Sequence, residues 1–211
     1  MYFCKRCFCI SGEEVPMSAL FVAYNKNAEV SGEVIFALLK GVERFKKDAF
    51  KALKEHGIDL PVEKKWYPEQ AYLDAFKAIS EKLGDKTLFE VGRAIPHFAK
   101  WPPQIKTIEE ALPSIDVAYH LNHRIDEKVL VDFKMGILKE GIGHYKYEKT
   151  GLRAAVMVCT NPYPCEFDRG LLETILKKYR PKDNKSFSVK HNDLLPCRKK
   201  GKDSCTYTIK W

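Results

Sequence analysis

The stretch Gly143-His144-Tyr145-Lys146-Tyr147-Glu148-Lys149-Thr150-Gly151 marks the point at which the periodicity of this chain changes. Residues 143–148 alternate, residues 149–151 form a turn sequence, and the apolar run 152–159 follows, so the pattern predicts a β-hairpin. Residues 186–190 and 206–211 also alternate and predict two further strands. The hairpin and these strands together predict an antiparallel sheet at the C-terminal end of the chain.

The sequence before the hairpin is helical in pattern. From Ser31, apolar residues recur every three or four positions up to Leu53, and similar spacing predicts helices within residues 68–84 and 88–99. Thr107 and Glu110 have the spacing of a capping box, which predicts a helix from there to about residue 123, and residues 168–179 predict one more. The fold class is therefore α+β, with an N-terminal helical subdomain and a C-terminal antiparallel sheet on which a helix packs.

We divide the chain into three segments of one continuous domain. Residues 1–17 form a cysteine-containing N-terminal appendage, residues 18–124 the helical subdomain, and residues 125–211 the α+β subdomain with a cysteine-rich metal site. A chain of 211 residues is long enough to bury a sizeable core.

Composition narrows the classes of function. The net charge is +8, but the basic residues are spread along the chain without interleaved stacking aromatics, so we expect a solvated surface and no nucleic-acid binding. There is no apolar run of about 18 residues and no signal-peptide pattern, so we expect no membrane span and a cytoplasmic protein. The sequence contains no phosphate-binding loop, nucleophile motif or dinucleotide fingerprint, which argues against an enzyme.

The cysteines favour a metal site. There are seven, an odd number, and metal ligation suits a reducing compartment better than disulfides do. Cys165, Cys197 and Cys205 supply three thiols, two of them on polar turns where an apolar side chain has little reason to lie. The fourth ligand is left open between His191, Asp193 and the strand residue Cys159. Reduced core or surface thiols are the alternative.

A second cysteine group lies at the N-terminus. Cys4, Cys7 and Cys9 include the Cys-x-x-Cys spacing that lets two sulfurs share one ion. A second metal site and a redox-labile thiol group are both open for it.

Aromatic residues are dense in the helical half and suggest either an apolar ligand cavity or a solid core. The candidate ligand pocket consists of Phe36, Tyr72, Phe76, Phe89, His120 and Tyr145. The histidines His97, His120, His123 and His144 are possible haem ligands or catalytic bases, but a lone histidine is more often structural.

Two parts of the chain resemble known families. Residues 30–39 and 66–73 are similar to the opening of haem-nitric-oxide/oxygen binding (H-NOX) domains. The set Cys165, Cys197, Gly201 and Cys205 is similar to the pattern of vinyl-4-reductase domains, which occur in sensors of aromatic compounds. The vinyl-4-reductase resemblance implies a structural zinc beside a buried pocket for an apolar ligand, with a carboxylate near the position of Asp193 as the fourth ligand.

The H-NOX resemblance raises the question of haem. Haem-binding relatives carry a Tyr-x-Ser-x-Arg motif, whereas this chain has Tyr147 in place of the serine and Lys149 in place of the arginine. Lysine cannot form the two-pronged clamp on a carboxylate that arginine forms. Neither His120 nor His123 has the expected spacing before this motif, so we expect zinc as the cofactor and do not expect haem.

The function predicted from the sequence is a module that binds or senses a small apolar or aromatic molecule and contains a structural zinc site. We expect a homodimer, because no output domain is attached. The alternatives are a haem-based gas sensor and a dimerising adaptor without a ligand. A thiol-dependent reductase is the enzyme alternative.

Overall fold

The computed structural model describes residues 20–59, 65–183 and 186–211. The helices are α1 (Gly32–Gly41), α2 (Lys46–Glu55), α3 (Glu69–Leu83), α4 (Asp85–Phe98), α5 (Ile108–Leu121) and α6 (Cys165–Tyr179). The strands are β1 (Ala28–Ser31), β2 (Trp66–Pro68), β3 (His123–Ile125), β4 (Lys128–Val129), β5 (Val131–Asp132), β6 (Ile137–Leu138), β7 (Tyr145–Gly151), β8 (Ala154–Cys159), β9 (Ser188–His191) and β10 (Cys205–Lys210). The predicted α+β class is confirmed.

The C-terminal sheet has the order β7-β8-β10-β9, and every neighbouring pair is antiparallel. The predicted hairpin is the β7–β8 pair, in which Tyr145 lies opposite Cys159. Alternate residues of β8 are buried, among them Ala155 and Met157, because successive side chains of a strand point to opposite faces. The buried face of this sheet packs against α5 and α6.

A second antiparallel sheet has the order β2-β1-β3-β4. Val30 of β1 lies between Tyr67 of β2 and His123 of β3. The periodicity predicted only helices for most of this region, and the sheet crosses the predicted boundary between residues 124 and 125. These strands have two to four residues, which is too short for an alternating pattern to be recognised.

The helices α4 and α6 approach each other through glycines. A Cβ atom on Gly92 would lie 1.9 Å from the carbonyl oxygen of Phe167, and one on Gly170 would lie 2.1 Å from the carbonyl oxygen of Phe89. The two backbones are therefore in direct contact, which only glycine permits. This contact fixes the position of the first turns of α6, where Cys165 and Phe167 lie.

The predicted capping box begins α5. The side-chain oxygen of Thr107 accepts a hydrogen bond from the Glu110 backbone N–H, and the Glu110 carboxylate accepts one from the Thr107 backbone N–H. The helix ends at Leu121, and β3 begins two residues later. No helix within the described ranges is both long enough and apolar enough to cross a bilayer.

Candidate functional site

A small cavity of about 40 Å³ lies where α1, α4, α5 and α6 meet the two sheets. Its lining residues are Val34, Ile95, Ala99, Trp101, Ile115, Ala118, Tyr119, Asn122, His123, Tyr145, Tyr163, Phe167 and Leu171. The walls are mainly apolar and aromatic. A water molecule occupies roughly 30 Å³ of liquid volume, so the cavity suits a ligand of very few atoms.

His123 supplies an imidazole to this cavity. Its side chain is buried, and Nδ1 lies 2.7 Å from the backbone oxygen of Tyr119, so the proton sits on Nδ1 and is donated to that oxygen. Nε2 then accepts a hydrogen bond from the Tyr163 hydroxyl at 2.9 Å. Burial lowers the pKa of His123 to about 4, so the ring is neutral at pH 7. A neutral imidazole anchored through its other nitrogen is the form that ligates metal ions.

Glu69 lies behind His123 and is fully buried. One carboxyl oxygen is 3.5 Å from His123 Nε2, and neither oxygen has a hydrogen-bond partner of normal geometry among the described residues. Burial raises the pKa of Glu69 to about 8, and the nearby Tyr163 hydroxyl offsets only part of that effect. Glu69 is therefore mostly protonated at pH 7.

Two more polar groups near the cavity lack partners among the described residues. They are the Tyr72 hydroxyl and the indole Nε1 of Trp101. Trp101 lines the cavity, and the Tyr72 ring lies 6.1 Å from that of Tyr163. Buried polar groups are normally hydrogen-bonded, so this region has unused capacity for a ligand or for water.

A buried ion pair connects the cavity to the C-terminal turn. The Arg198 guanidinium donates to the Asp168 carboxylate and to both oxygens of Asn161. The Tyr145 hydroxyl, on the cavity wall, donates to the other Asp168 oxygen at 2.7 Å. The Nε of Arg198 lies 3.5 Å from the Cys205 sulfur. This network joins Tyr145 to the cysteine cluster through two charged side chains.

The structure brings together three of the predicted metal ligands. The sulfurs of Cys165 and Cys205 are 3.2 Å apart, those of Cys165 and Cys197 3.7 Å, and those of Cys197 and Cys205 3.9 Å. Tetrahedral bonds of about 2.3 Å from one ion to two sulfurs place the sulfurs about 3.8 Å apart. A hydrogen bond from the Cys165 thiol, together with Arg198, lowers the pKa of Cys205 and favours its thiolate form. The metal itself remains a prediction.

The two other predicted ligands have different positions. A ligand atom of His191 lies within 4.8 Å of the three sulfurs, and its Nε2 is buried without a partner among the described residues. The His191 Nδ1 is 2.8 Å from the carboxylate of Asp193, whose side chain is 82% exposed. Asp193 therefore orients His191 and is not one of the clustered groups. Cys159 is buried opposite Cys205 on β8 and is also outside the cluster.

The predicted second cluster of Cys4, Cys7 and Cys9 lies outside the described residues. It stays a prediction.

Of the six predicted pocket residues, Tyr145 alone lines the cavity. Phe36 is 43% exposed, and Phe89 lies against the Arg169 guanidinium. Tyr72 and Phe76 stack on each other in the core beside Tyr163. His120 is buried on α5 next to His144 instead. The prediction chose aromatics by their density, whereas position on a helix face decides which of them reach the cavity.

Sequence reasoning did not assign Trp101, Tyr119, His123 and Tyr163 to the pocket. A signal for Tyr119 and His123 was present, because they are four residues apart near the end of the helix that the capping box of Thr107 and Glu110 predicts. Nothing local to Tyr163 predicts its burial, because the Asn161–Pro164 turn is polar and proline-rich.

No protein-family profile and no curated protein matches this chain. Several solved structures are similar to it. One is named "Modulating Heme Redox Potential Through Protein-Induced Porphyrin Distortion", with a TM-score of 0.56, 19% identity and coverage of 85% of this chain and 97% of that one. The chain has the H-NOX fold. A second structure is an H-NOX protein from S. oneidensis in the Fe(II)NO ligation state, with a TM-score of 0.59, 13% identity and coverage of 85% and 98%.

A third is an oxygen binding H-NOX domain related to soluble guanylate cyclases, with a TM-score of 0.53, 20% identity and coverage of 85% and 91%. The H-NOX resemblance is thus confirmed for the fold, and these structures do not bear on the vinyl-4-reductase resemblance. They correct the expected cofactor. We expected zinc and did not expect haem, but the names of these proteins refer to haem, porphyrin and Fe(II), and so point to haem rather than zinc.

The cavity meets one requirement of a haem site and fails another. His123 fits the requirement for an iron ligand, because its neutral ring lines the cavity and only the hydrogen bond from the Tyr163 hydroxyl engages its Nε2 lone pair. The space does not fit, because small-molecule sites occupy roughly 300–1,000 Å³ and this cavity is far smaller. As it stands, the cavity admits a diatomic gas but does not enclose a porphyrin ring.

Proposed function

We propose that this chain is a sensor domain for a small ligand of the dissolved-gas class, with the cavity beside His123 as its site. Haem-based gas sensing is the form of this proposal that the similar structures favour. The observation that carries it is the neutral His123 imidazole in the lining of a small apolar cavity, in a chain with an H-NOX fold.

The chain's own residues supply a way to register binding. Any ligand that takes the Nε2 lone pair of His123 removes the acceptor of the Tyr163 hydroxyl. The free carboxyl of Glu69 is the alternative acceptor on the same side, so Tyr163 exchanges one partner for the other. Tyr163 lies two residues before α6, which makes that helix the element that responds. A sensor needs two states with different affinity for its ligand, and these two hydrogen-bonding arrangements provide them.

In the haem-based form, His123 would hold the haem iron, which would supply the affinity for the gas, and the cavity would have to widen to admit the ring. The test is haem uptake, followed by the absorption spectrum of purified protein incubated with haem. We compare the unmodified chain with His123→Ala and with His97→Ala, which changes an exposed histidine outside the cavity. Saturable uptake that His123→Ala abolishes and His97→Ala retains supports the haem-based form. No uptake by the unmodified chain overturns that form.

The gas-sized cavity is tested separately with xenon, which enters dry apolar cavities of engineered proteins. We expect saturable xenon binding in ¹²⁹Xe NMR, and we expect Ala118→Phe to abolish it because Ala118 lines the cavity. Absence of both xenon binding and haem uptake in folded protein overturns the sensor proposal as a whole.

We also propose that Cys165, Cys197, Cys205 and His191 hold a tetrahedral metal ion that joins α6 to β9 and β10. The sulfur separations support this proposal, and so does the unpartnered His191 Nε2. Native mass spectrometry with elemental analysis tests it. We expect one tightly held ion, which Cys197→Ser weakens and Cys159→Ser leaves in place. A metal-free protein that folds stably in chelator contradicts it.

A further inference from the structure

A second cluster of possible metal ligands lies between the C-terminal half of α5 and the start of β7. Asp116 and His120 are one helical turn apart on α5, and His144 lies directly before β7. One ligand atom from each of these three residues lies within 4.8 Å of the others. The His120 and His144 rings are 4.9 Å apart between centroids. The cluster contains nitrogen and oxygen donors only, which distinguishes it from the thiol cluster.

His120 has an unused ligand atom. The side chain is fully buried, and Nε2 has no hydrogen-bond partner among the described residues. Nδ1 is 2.8 Å from the backbone oxygen of Asp116, so Nδ1 carries the proton and Nε2 keeps its lone pair. A buried acceptor without a donor is rare in folded proteins, and a bound cation is one arrangement that satisfies it.

His144 lies between two carboxylates. Its Nδ1 is 2.9 Å from Asp116 Oδ2, and its Nε2 is 2.9 Å from Glu140 Oε2. Both nitrogens must carry protons to make these contacts. Two carboxylates and one imidazolium leave a net negative charge, which a divalent cation can neutralise by displacing a proton of His144.

The charged and titratable groups around the cluster come from α5, from the loop before β7 and from β7 itself. Asp116 and His120 come from α5, Glu140 and His144 from the loop before β7, and Lys146 from β7. Lys146 acts on the Glu140 carboxylate only from a distance. Apart from the histidines, no basic side chain among the described residues forms an ion pair with Asp116 or Glu140.

We propose that Asp116, His120 and His144 form a binding site for a divalent first-row transition-metal ion, with the Glu140 carboxylate holding the His144 ring in place. Two imidazole nitrogens and one carboxylate oxygen are a donor set that suits such ions. The ion joins α5 to the start of β7, where the Tyr145 backbone N–H already donates to Asp116 Oδ1 at 2.9 Å. The site therefore clamps the helix that carries Ala118 and Tyr119 of the cavity wall.

The competing interpretation is a purely structural contact in which His144 and Asp116 hold the loop without an ion. The two differ in metal binding, so we choose Co²⁺ as the probe and isothermal titration calorimetry of the full chain as the assay. We expect the unmodified chain and His97→Ala to bind Co²⁺ at this site and His144→Ala to lose one equivalent. Glu140→Gln changes a side chain that is 84% exposed, so it folds normally, and we expect at least tenfold weaker Co²⁺ binding.

The thiol cluster is separated by its spectrum, since only cobalt bound to thiolate gives sulfur-to-metal charge-transfer absorption. The equivalent lost in His144→Ala must lack this absorption. If folded His144→Ala binds Co²⁺ with the stoichiometry and affinity of the unmodified chain, the proposal is overturned. If His144→Ala does not fold, unchanged Co²⁺ affinity in Glu140→Gln and Asp116→Asn overturns it.

Discussion

Replacing Glu69 by glutamine should stabilise the protein and remove a defined part of its pH dependence. The carboxyl is fully buried without a hydrogen-bond partner of normal geometry, and its pKa is about 8 in the folded chain against 4.5 as the ordinary value. The folded state therefore binds more protons than the unfolded state between these two values. The contribution of the Glu69 carboxyl to the unfolding free energy is fully present below pH 4.5 and is lost as the pH rises towards 8.

The magnitude follows from the two pKa values. At pH 7, keeping Glu69 protonated in the folded state costs about 3 kcal/mol relative to a neutral side chain, from about 1.4 kcal/mol per pH unit between 4.5 and 7. Glutamine has nearly the same shape and no proton to retain. We expect Glu69→Gln to raise the unfolding free energy by about that amount and Tm by roughly 6–12 °C for a chain of this size.

His123 determines the pH window of the assay. Its pKa falls from 6.5 to about 4 on folding, so its contribution to stability is lost as the pH falls from 6.5 to 4. The Glu69 and His123 effects oppose each other below pH 6.5, and Glu69 acts alone of the two between 6.5 and 8. Urea unfolding followed by circular dichroism should show that the loss of unfolding free energy over that window is roughly 1.5 kcal/mol larger in the unmodified chain than in Glu69→Gln.

A matched control is Glu90→Gln, which changes a carboxylate on α4 whose side chain is 41% exposed. It should keep the unmodified pH response. The reasoning about Glu69 is refuted if Glu69→Gln leaves the slope between pH 6.5 and 8 unchanged, or if it lowers stability at pH 8.

Three other substitutions test the architecture. Thr107→Ala removes the capping box and should lower the unfolding free energy by about 1 kcal/mol, seen as a fall of about 2–4 °C in Tm. Arg198→Met leaves the buried Asp168 carboxylate unpaired and should cost about 3–5 kcal/mol in urea unfolding, whereas a cost under 1 kcal/mol would show that the pair is not buried as described. Gly92→Ala places a Cβ 1.9 Å from the Phe167 carbonyl oxygen and should cost at least about 3 kcal/mol, with a loss of near-UV circular dichroism if α4 and α6 separate.

The parts of the fold that the sequence predicts are those with local signals. The hairpin from Tyr145 to Cys159 has alternation and a turn, and the capped start of α5 has a two-residue signature. The sheet formed by β1, β2 and β3 lacks such signals, because its strands are short and pair across sequence separations of 35 to 97 residues. Pairing at that range is decided by tertiary packing, which periodicity does not report.

The candidate site also contains residues that have a sequence signal and residues that have none. The cysteines stand out because thiols on polar turns have no role as core residues, and three of them lie together in the structure. Glu69 gave no such signal, since a glutamate after Pro68 at the start of a helix is normally a solvent-exposed residue that favours the helix dipole. The position of α3 against Tyr163 and His123 buries it, and that position is set by the whole fold.

The paired glycines of α4 and α6 limit the motion of these two helices relative to each other. Because the two backbones touch at Gly92 and Gly170 with no side chain between them, neither helix can rotate or slide without collision. The helices α4 and α6 therefore behave as one rigid unit. Any widening of the cavity beside Phe167 and Ile95 therefore requires α1, α5 or the strands to move away from these two helices.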